Sequence, residues 1–286
     1  IVVGNLVVGG TGKTPFITWL VAQLRSQGHH PGIISRGFGG RSGSPHFVQP
    51  TDAPMDVGDE PLMLAQMTQA PVVVGRDRLA AAYTLLRQDP NITVLISDDG
   101  LQHLSLPRAL EFCLFDGHSG VGNGRMLPSG PLREPLHRLQ SVDAVVAKGR
   151  QATLPNWAPT QVVMELALGI PRHLHQPKAS VAPHEVIDCV AVCGIGQPES
   201  FFQLLRQAGW VFTPMPITDH GTLTAVQMAY LTGRTVLVTS KDAVKLRLLE
   251  LPFEAYEVPL TVSFGPQAHA SLLDRLVNKV PLQPKL

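Results

Sequence analysis

Val7-Val8-Gly9-Gly10-Thr11-Gly12-Lys13-Thr14 follows the apolar run Ile1-Val2-Val3 and precedes Pro15-Phe16-Ile17-Thr18-Trp19-Leu20. A strand, a glycine-rich turn, Lys-Thr and then a helix is the layout of a phosphate-binding loop. The glycines let backbone N–H groups converge on phosphate oxygens. The helix that starts near Thr14 adds the positive end of its dipole. In this reading Val7 to Thr14 hold the nucleotide: Lys13 reaches the β- and γ-phosphates and the Thr14 hydroxyl holds Mg²⁺. One position departs from the common pattern, which has glycine five residues before Gly12, where this chain has Val7. Gly9 and Gly10 supply the missing freedom.

The composition allows two domains of ordinary size. A chain of 286 residues, 44% hydrophobic and 16% charged, is long and apolar enough for two domains with buried cores. It carries 23 Lys and Arg against 22 Asp and Glu, with no basic tract, which gives no nucleic-acid footprint. No apolar run approaches the roughly 18–20 residues of a membrane span. The chain starts at Ile1, inside the first strand, so an N-terminal segment is expected to be missing from it. Its three cysteines do not make a disulfide framework. Cys189 and Cys193 fall on one face of a strand and read as core thiols.

Short, fully apolar strands alternate with helical periods along the first half, which predicts a parallel sheet covered on both faces. The expected strands are Gly32–Ser35, Val72–Val74, Thr93–Ser97, Glu111–Phe115 and Asp143–Val146, with helices over Thr14–Gln27, Pro61–Gln69 and Asp77–Gln88. Residues 1–160 read as the nucleotide-binding and catalytic core. Residues 161–185 read as a linker, with a strand at Gln161–Leu168 and an irregular, proline-rich stretch at 171–183. Residues 186–255 form a smaller α/β domain, with strands at Val186–Val192 and Thr235–Thr239 and helices near Glu199–Gln207, Thr224–Tyr230 and Asp242–Leu249. In 256–286, Tyr256–Phe264 returns as a strand beside Gln161–Leu168, and a C-terminal helix follows. The fold class is thus α/β: a P-loop sheet core with a smaller C-terminal α/β domain, joined by a linker that can include two strands.

Several residues outside the phosphate loop suit phosphoryl transfer. Val94-Leu95-Ile96-Ser97-Asp98-Asp99-Gly100 is an apolar strand ending in carboxylates, the place where nucleoside triphosphatases hold Mg²⁺. The metal role does not divide between Asp98 and Asp99 on sequence alone. His103 faces the same cleft or lies in a solvated loop. Gly58-Asp59-Glu60-Pro61 opens a helix, so Asp59 either complements the helix dipole or serves as the base that takes a proton from an attacking hydroxyl. Asp219-His220 is a second loop-to-helix junction, where His220 caps or orients a carboxylate. The Gly- and Pro-rich loop from Gly117 to Pro135 is long for a connector and carries Arg133, a planar fork for phosphate; Arg36 is a second such candidate. Thr239-Ser240-Lys241-Asp242 lacks the Asn/Thr-Lys-x-Asp spacing that reads guanine, so nothing favours GTP.

In this order, these pieces resemble the tetraacyldisaccharide 4′-kinase (lipid A 4′-kinase) family. The matching segments are Gly4-Asn5 through Pro15, Ser35-Arg36-Gly37-Phe38-Gly39, Gly58 to Pro61, Asp98-Asp99-Gly100-Leu101-Gln102-His103, Leu127 to Pro135, Gly194-Ile195-Gly196, Thr218-Asp219-His220 and Lys241-Asp242-Ala243-Val244-Lys245. Small departures fall at Phe38, Leu101 and Ser129, where Tyr, Phe and Ala are the family's residues. The resemblance implies transfer of the ATP γ-phosphoryl, with Mg²⁺, to the 4′-hydroxyl of an acylated glucosamine disaccharide 1-phosphate, giving lipid IVA. It also implies a peripheral location on the cytoplasmic face of the inner membrane, reached through an N-terminal apolar helix. Position by position, it gives Lys13 and Thr14 to the triphosphate and metal, and Asp98 and Asp99 to the metal region. It makes Asp59 the base, supported by His220, with Lys13 and Asp99 beside it in the catalytic group. Gln102, His103, Arg133, Glu134 and Asp219 line the cleft and place substrate. Two other classes fit the residues alone: a soluble P-loop kinase or ligase acting on a small metabolite, and a nucleotide-driven switch.

Overall fold

The computed structural model describes residues 1–41, 43–159, 161–176 and 178–282. Thr160 at the end of the first expected unit, Pro177 in the proline-rich stretch and residues 283–286 at the chain end lie outside the described residues. In chain order the elements are β1 (Val2–Gly4), α1 (Lys13–Ser26), β2 (Pro31–Ser35), β3 (His46–Phe47), α2 (Pro54–Val57), α3 (Asp59–Thr68), β4 (Val72–Val74), α4 (Arg78–Gln88), β5 (Val94–Asp98), β6 (Glu111–Asp116), β7 (Ala144–Lys148) and β8 (Gln161–Leu168). They continue with β9 (Arg172–His173), β10 (Cys189–Cys193), α5 (Pro198–Gln207), β11 (Thr213–Pro216), α6 (Ala225–Leu231), β12 (Thr235–Thr239), α7 (Ser240–Leu246), β13 (Glu254–Val258), β14 (Leu260–Phe264) and α8 (Pro266–Lys279).

The strands form two sheets. The larger has the order β14-β8-β7-β6-β1-β5-β2-β4-β3 and the smaller β11-β10-β12-β13-β9. All pairs in the larger sheet are parallel except those made by the two edge strands, β14 on β8 and β3 on β4. The central strands are buried along their whole length, which is why they read as unbroken apolar runs. On one face α1 buries Phe16, Ile17, Leu20, Val21 and Leu24, with the Phe16 ring edge-on to Phe112 of β6 at 5.1 Å. On the other face α4 buries Ala81, Ala82 and Leu85 and begins at Asp77, whose carboxylate accepts the N–H groups of Leu79 and Ala80. The smaller sheet alternates as a two-sided strand should: Val190 and Val192 enter one core, Cys189, Ala191 and Cys193 the other. Burial pushes the Cys189 and Cys193 thiols up to about 12, so they are core thiols, as expected.

Four local expectations need correction. The stretch Tyr256–Phe264 is not one strand. Pro259 has no N–H to donate, and the chain divides there: β13 runs parallel to β12 in the smaller sheet, while β14 runs antiparallel to β8 in the larger. The expected strand at Val186–Val192 starts only at Cys189, and the 171–183 stretch contains β9, paired antiparallel with β13. The helix expected over Asp242–Leu249 runs instead from Ser240 to Leu246, because the Thr239 side chain caps the N–H of Asp242.

Candidate active site at the strand ends

The carboxyl ends of β1, β5, β2, β6 and β7 carry Gly4-Asn5, Asp98, Ser35, Asp116 and Lys148 on one edge of the larger sheet. The connection leaving β1 runs towards β2 and that leaving β5 runs past β1 to β6. The chain therefore parts above these strands, where open α/β sheets form their crevices. The phosphate loop fills this point. Val8, Gly9 and Gly10 are exposed, while Gly9 and Gly12 take φ of +117° and +86°, conformations that favour glycine. Val7 is buried and bridged to Leu132, so a side chain there is a packing asset. The 117–135 loop braces the phosphate loop: Val8 N–H donates to Pro131 O and Arg133 N–H to Leu6 O. Asn5 Nδ2 donates to Thr11 Oγ1, and Lys148 Nζ reaches both Gly10 O (2.9 Å) and Asp116 (2.7 Å).

Lys13, Asp99 and Arg133 meet. Lys13 Nζ is 3.5 Å from Asp99 Oδ1, and Arg133 donates to Asp99 Oδ2 at 2.8 Å. Burial raises the Asp99 carboxyl, but the charges and hydrogen bonds of Lys13 and Arg133 outweigh it and hold the group below its ordinary value. Asp98 behaves oppositely. It is buried and accepts the Ser35 hydroxyl at 2.8 Å; burial and then the charge of Glu60 lift it to about 6, against the pull of Lys13. Gln102 Nε2 donates to Glu134 Oε1 at 2.6 Å. His103 is not drawn into the group: among the described residues its ring makes no hydrogen bond, and burial with the charges of Arg78 and Arg36 lowers its pKa.

A second cluster joins the two lobes, the larger built on the nine-stranded sheet and the smaller on the five-stranded sheet. Gly58 holds the N-cap position of α3, and the buried Asp59 turns its carboxylate to the smaller lobe. Its Oδ2 lies 3.1 Å from His220 Nδ1 and 3.2 Å from Lys245 Nζ. Lys241 Nζ donates to Asp219 Oδ1 at 2.6 Å and stands 3.2 Å from His220 Nε2. Both lysines project from α7, one turn apart, and Val244 between them packs into the core that α3 shares. Asp99 and His220 are two of the three non-glycine residues with positive φ among the described residues (+49° and +60°), a backbone cost found at working sites. Sequence reading missed Lys241, Lys245, Lys148 and Ser35 as site residues. The i, i+4 spacing of the two lysines was the signal for one pair.

Comparison with known proteins agrees with this geometry. A family model described as tetraacyldisaccharide-1-P 4′-kinase matches residues 1–278. The chain belongs to this kinase family. The tetraacyldisaccharide 4′-kinase of Methylobacillus flagellatus is 47% identical over 247 residues, covering 86% of this chain and 72% of that protein. The one from Alkalilimnicola ehrlichii is 45% identical over 271 residues, covering 91% and 79%. A crystal structure of LpxK from Aquifex aeolicus in complex with ATP superposes with a TM-score of 0.79 at 26% identity, covering 98% of this chain and 87% of that one. The kinase family and the α/β fold inferred from the motifs are both borne out. Among the described residues no helix is long and apolar enough to cross a membrane, and no cluster of three or more His, Cys, Asp or Glu could hold a metal ion by itself.

Proposed function

We propose that this kinase transfers the γ-phosphoryl of ATP to the 4′-hydroxyl of an acylated glucosamine disaccharide 1-phosphate, giving the bis-phosphorylated lipid IVA. The observation that carries the reading is the meeting of Asp59 with His220, 161 residues apart in the chain, in a protein that also carries the phosphate loop. The loop N–H groups from Gly9 to Lys13 cradle the β- and γ-phosphates, with Lys13 offsetting their charge. Arg133, already turned to the cleft by Asp99, binds a phosphate or acceptor group, and Gln102, His103, Glu134 and Asp219 line the acceptor side.

Mg²⁺ fits the donor set. Asp99 Oδ1 is shielded from solvent and faces the Lys13 ammonium at 3.5 Å, beyond a close hydrogen bond, and Asp98, Asp99 and the Thr14 hydroxyl are oxygen donors of the kind this ion takes alongside phosphate oxygens and water. When bound, the ion offsets charge on the transferring phosphoryl group. Asp59 takes the proton of the acceptor hydroxyl, and the His220 hydrogen bond holds its carboxylate in place for that step. Association with the inner-membrane surface accords with a lipid acceptor.

Purified full-length protein, incubated with ATP, Mg²⁺ and the disaccharide 1-phosphate, is expected to give the bis-phosphorylated product by mass spectrometry, with little ATP turnover when the acceptor is omitted. Folded protein that yields no such product, or that hydrolyses ATP equally without acceptor, would contradict the reading.

A further inference from the structure

The phosphate loop leaves β1, which has β5 and then β2 on one side and β6 and then β7 on the other. The β5 side carries Asp98 and Asp99, the carboxylates that suit Mg²⁺. The other side carries Asp116 and Lys148, which lie in register at the ends of β6 and β7. This pair has no part in the phosphoryl chemistry, yet it grips the loop. Lys148 Nζ donates to Gly10 O at 2.9 Å and pairs with Asp116 Oδ2 at 2.7 Å. We propose that Lys148 is a positioning residue for the donor nucleotide, which holds the phosphate loop in its anion-binding shape through Gly10 O before ATP arrives. The proposal rests on nucleotide binding by this loop and is independent of the acceptor's identity.

Peptide geometry gives the contact its consequence. In a trans peptide the C=O of one residue and the N–H of the next point in opposite directions. The ammonium that holds Gly10 O therefore turns the Thr11 N–H away from Lys148. Among the described residues that N–H donates to no group of the chain, so it is left for an anion. The loop needs such a tie. Gly9 and Gly10 are exposed, and a Cβ on either would meet nothing within 4 Å, so packing does not hold this stretch. Val8 N–H is fastened to Pro131 O before it and Thr11 Oγ1 to Asn5 after it. Between these ties, the bond to Lys148 is the one that the backbone of Gly9 and Gly10 makes among the described residues.

Lys148 is itself fixed. Its stem lies along Gly12, where an added Cβ would stand 3.5 Å from Lys148 Cδ and 2.7 Å from Cε of Met164, its neighbour on β8. Asp116 Oδ1 accepts from the N–H groups of His118 and Ser119 and from the Ser119 hydroxyl, which leaves Oδ2 for the lysine. Burial raises the Asp116 carboxyl, but Lys148 and these donors outweigh it and hold the group at about 2. The two charges offset each other, so Lys148 brings geometry rather than net charge to the loop. A loop already in shape gives up less conformational freedom when it takes phosphate.

The test is calorimetric binding of ATP and of inorganic tripolyphosphate to the full chain, with Mg²⁺ and without acceptor. Lys148→Met should weaken both by about 10-fold, because the loop rather than the nucleoside is affected. Lys148→Arg, whose guanidinium can also bridge a carbonyl and a carboxylate, should recover affinity to within about threefold. The double variant Lys148→Met with Asp116→Asn removes both charges and should bind as weakly as Lys148→Met alone. In turnover, Lys148→Met should raise the KM for ATP about 10-fold and lower kcat by less than about threefold. Unchanged ATP affinity in Lys148→Met would overturn the proposal. A loss confined to ATP would also overturn it, since Lys148 would then act on the nucleoside, and so would affinity regained in the double variant, since charge alone would then explain the loss. If Lys148→Met fails to fold, Lys148→Gln, too short to span from Asp116 to Gly10 O, replaces it with the same outcomes. Binding is read without lipid, so failure here is distinct from failure of the kinase reading, which would appear as absence of phosphorylated lipid.

Discussion

Adjacent carboxylates at the end of β5 have opposite electrostatics because their neighbours differ. Asp99 faces two cations, whereas Asp98 is deeply buried and also feels the charge of Glu60. The folded chain therefore binds the Asp98 proton more tightly (about 6) than the unfolded chain does (3.8). The resulting stabilisation is fully present below about pH 4 and is lost as pH rises through about 6; keeping Asp98 ionised at pH 8 then costs roughly 3 kcal/mol. Asp98→Asn keeps an acceptor for the Ser35 hydroxyl and removes that cost. It should raise the thermal unfolding midpoint at pH 8 by roughly 5 °C, with the gap shrinking as pH falls to about 5, while phosphoryl transfer collapses. An equal or lower midpoint at pH 8 would sink this account of Asp98. The carboxylate pair was plain in the sequence; its division was not, because it depends on which residues distant in sequence supply charge.

At the scale of elements, the phosphate loop, α1 and the buried strands were legible, since each rests on local spacing and apolar runs. α3 is different. Asp59 at its start looked as much like a helix-dipole carboxylate as a base, and only the approach of the smaller lobe separates the two readings. That approach depends on Gly58, whose φ of +94° and ψ of 150° belong to glycine and where an added Cβ would stand 2.6 Å from Phe38 O. Gly58→Ala should cost about 2 kcal/mol in denaturant unfolding and lower kcat by more than the stability loss explains, because the start of α3 shifts with Asp59 on it. Unchanged stability and kcat would remove the argument. The break at Pro259 was also missed: an apolar stretch with one proline reads as a single strand unless the two sheets it serves are known.

Across the whole molecule, the smaller lobe contributes to the site through α7 and the 218–220 turn. Arg247 just beyond α7 donates to Gln66 of α3 and pairs with Glu257 of β13, so the same helix that brings Lys241 and Lys245 to Asp59 is fastened to both lobes. Two connections join the lobes, β8 to β9 and β13 to β14, and both pass the edge of the larger sheet. No local pattern in the sequence could place His220 against Asp59; the family's motif order pointed to the pairing, and the packing of α7 on α3 supplies its physical reason. Kinetics and nucleotide binding of Asp59→Ala, measured on the same preparation, test the central claim most directly. Our account expects kcat to fall roughly 10²–10⁴-fold while the Kd for ATP stays within about threefold; a variant that keeps its kcat and loses only affinity for ATP would contradict it.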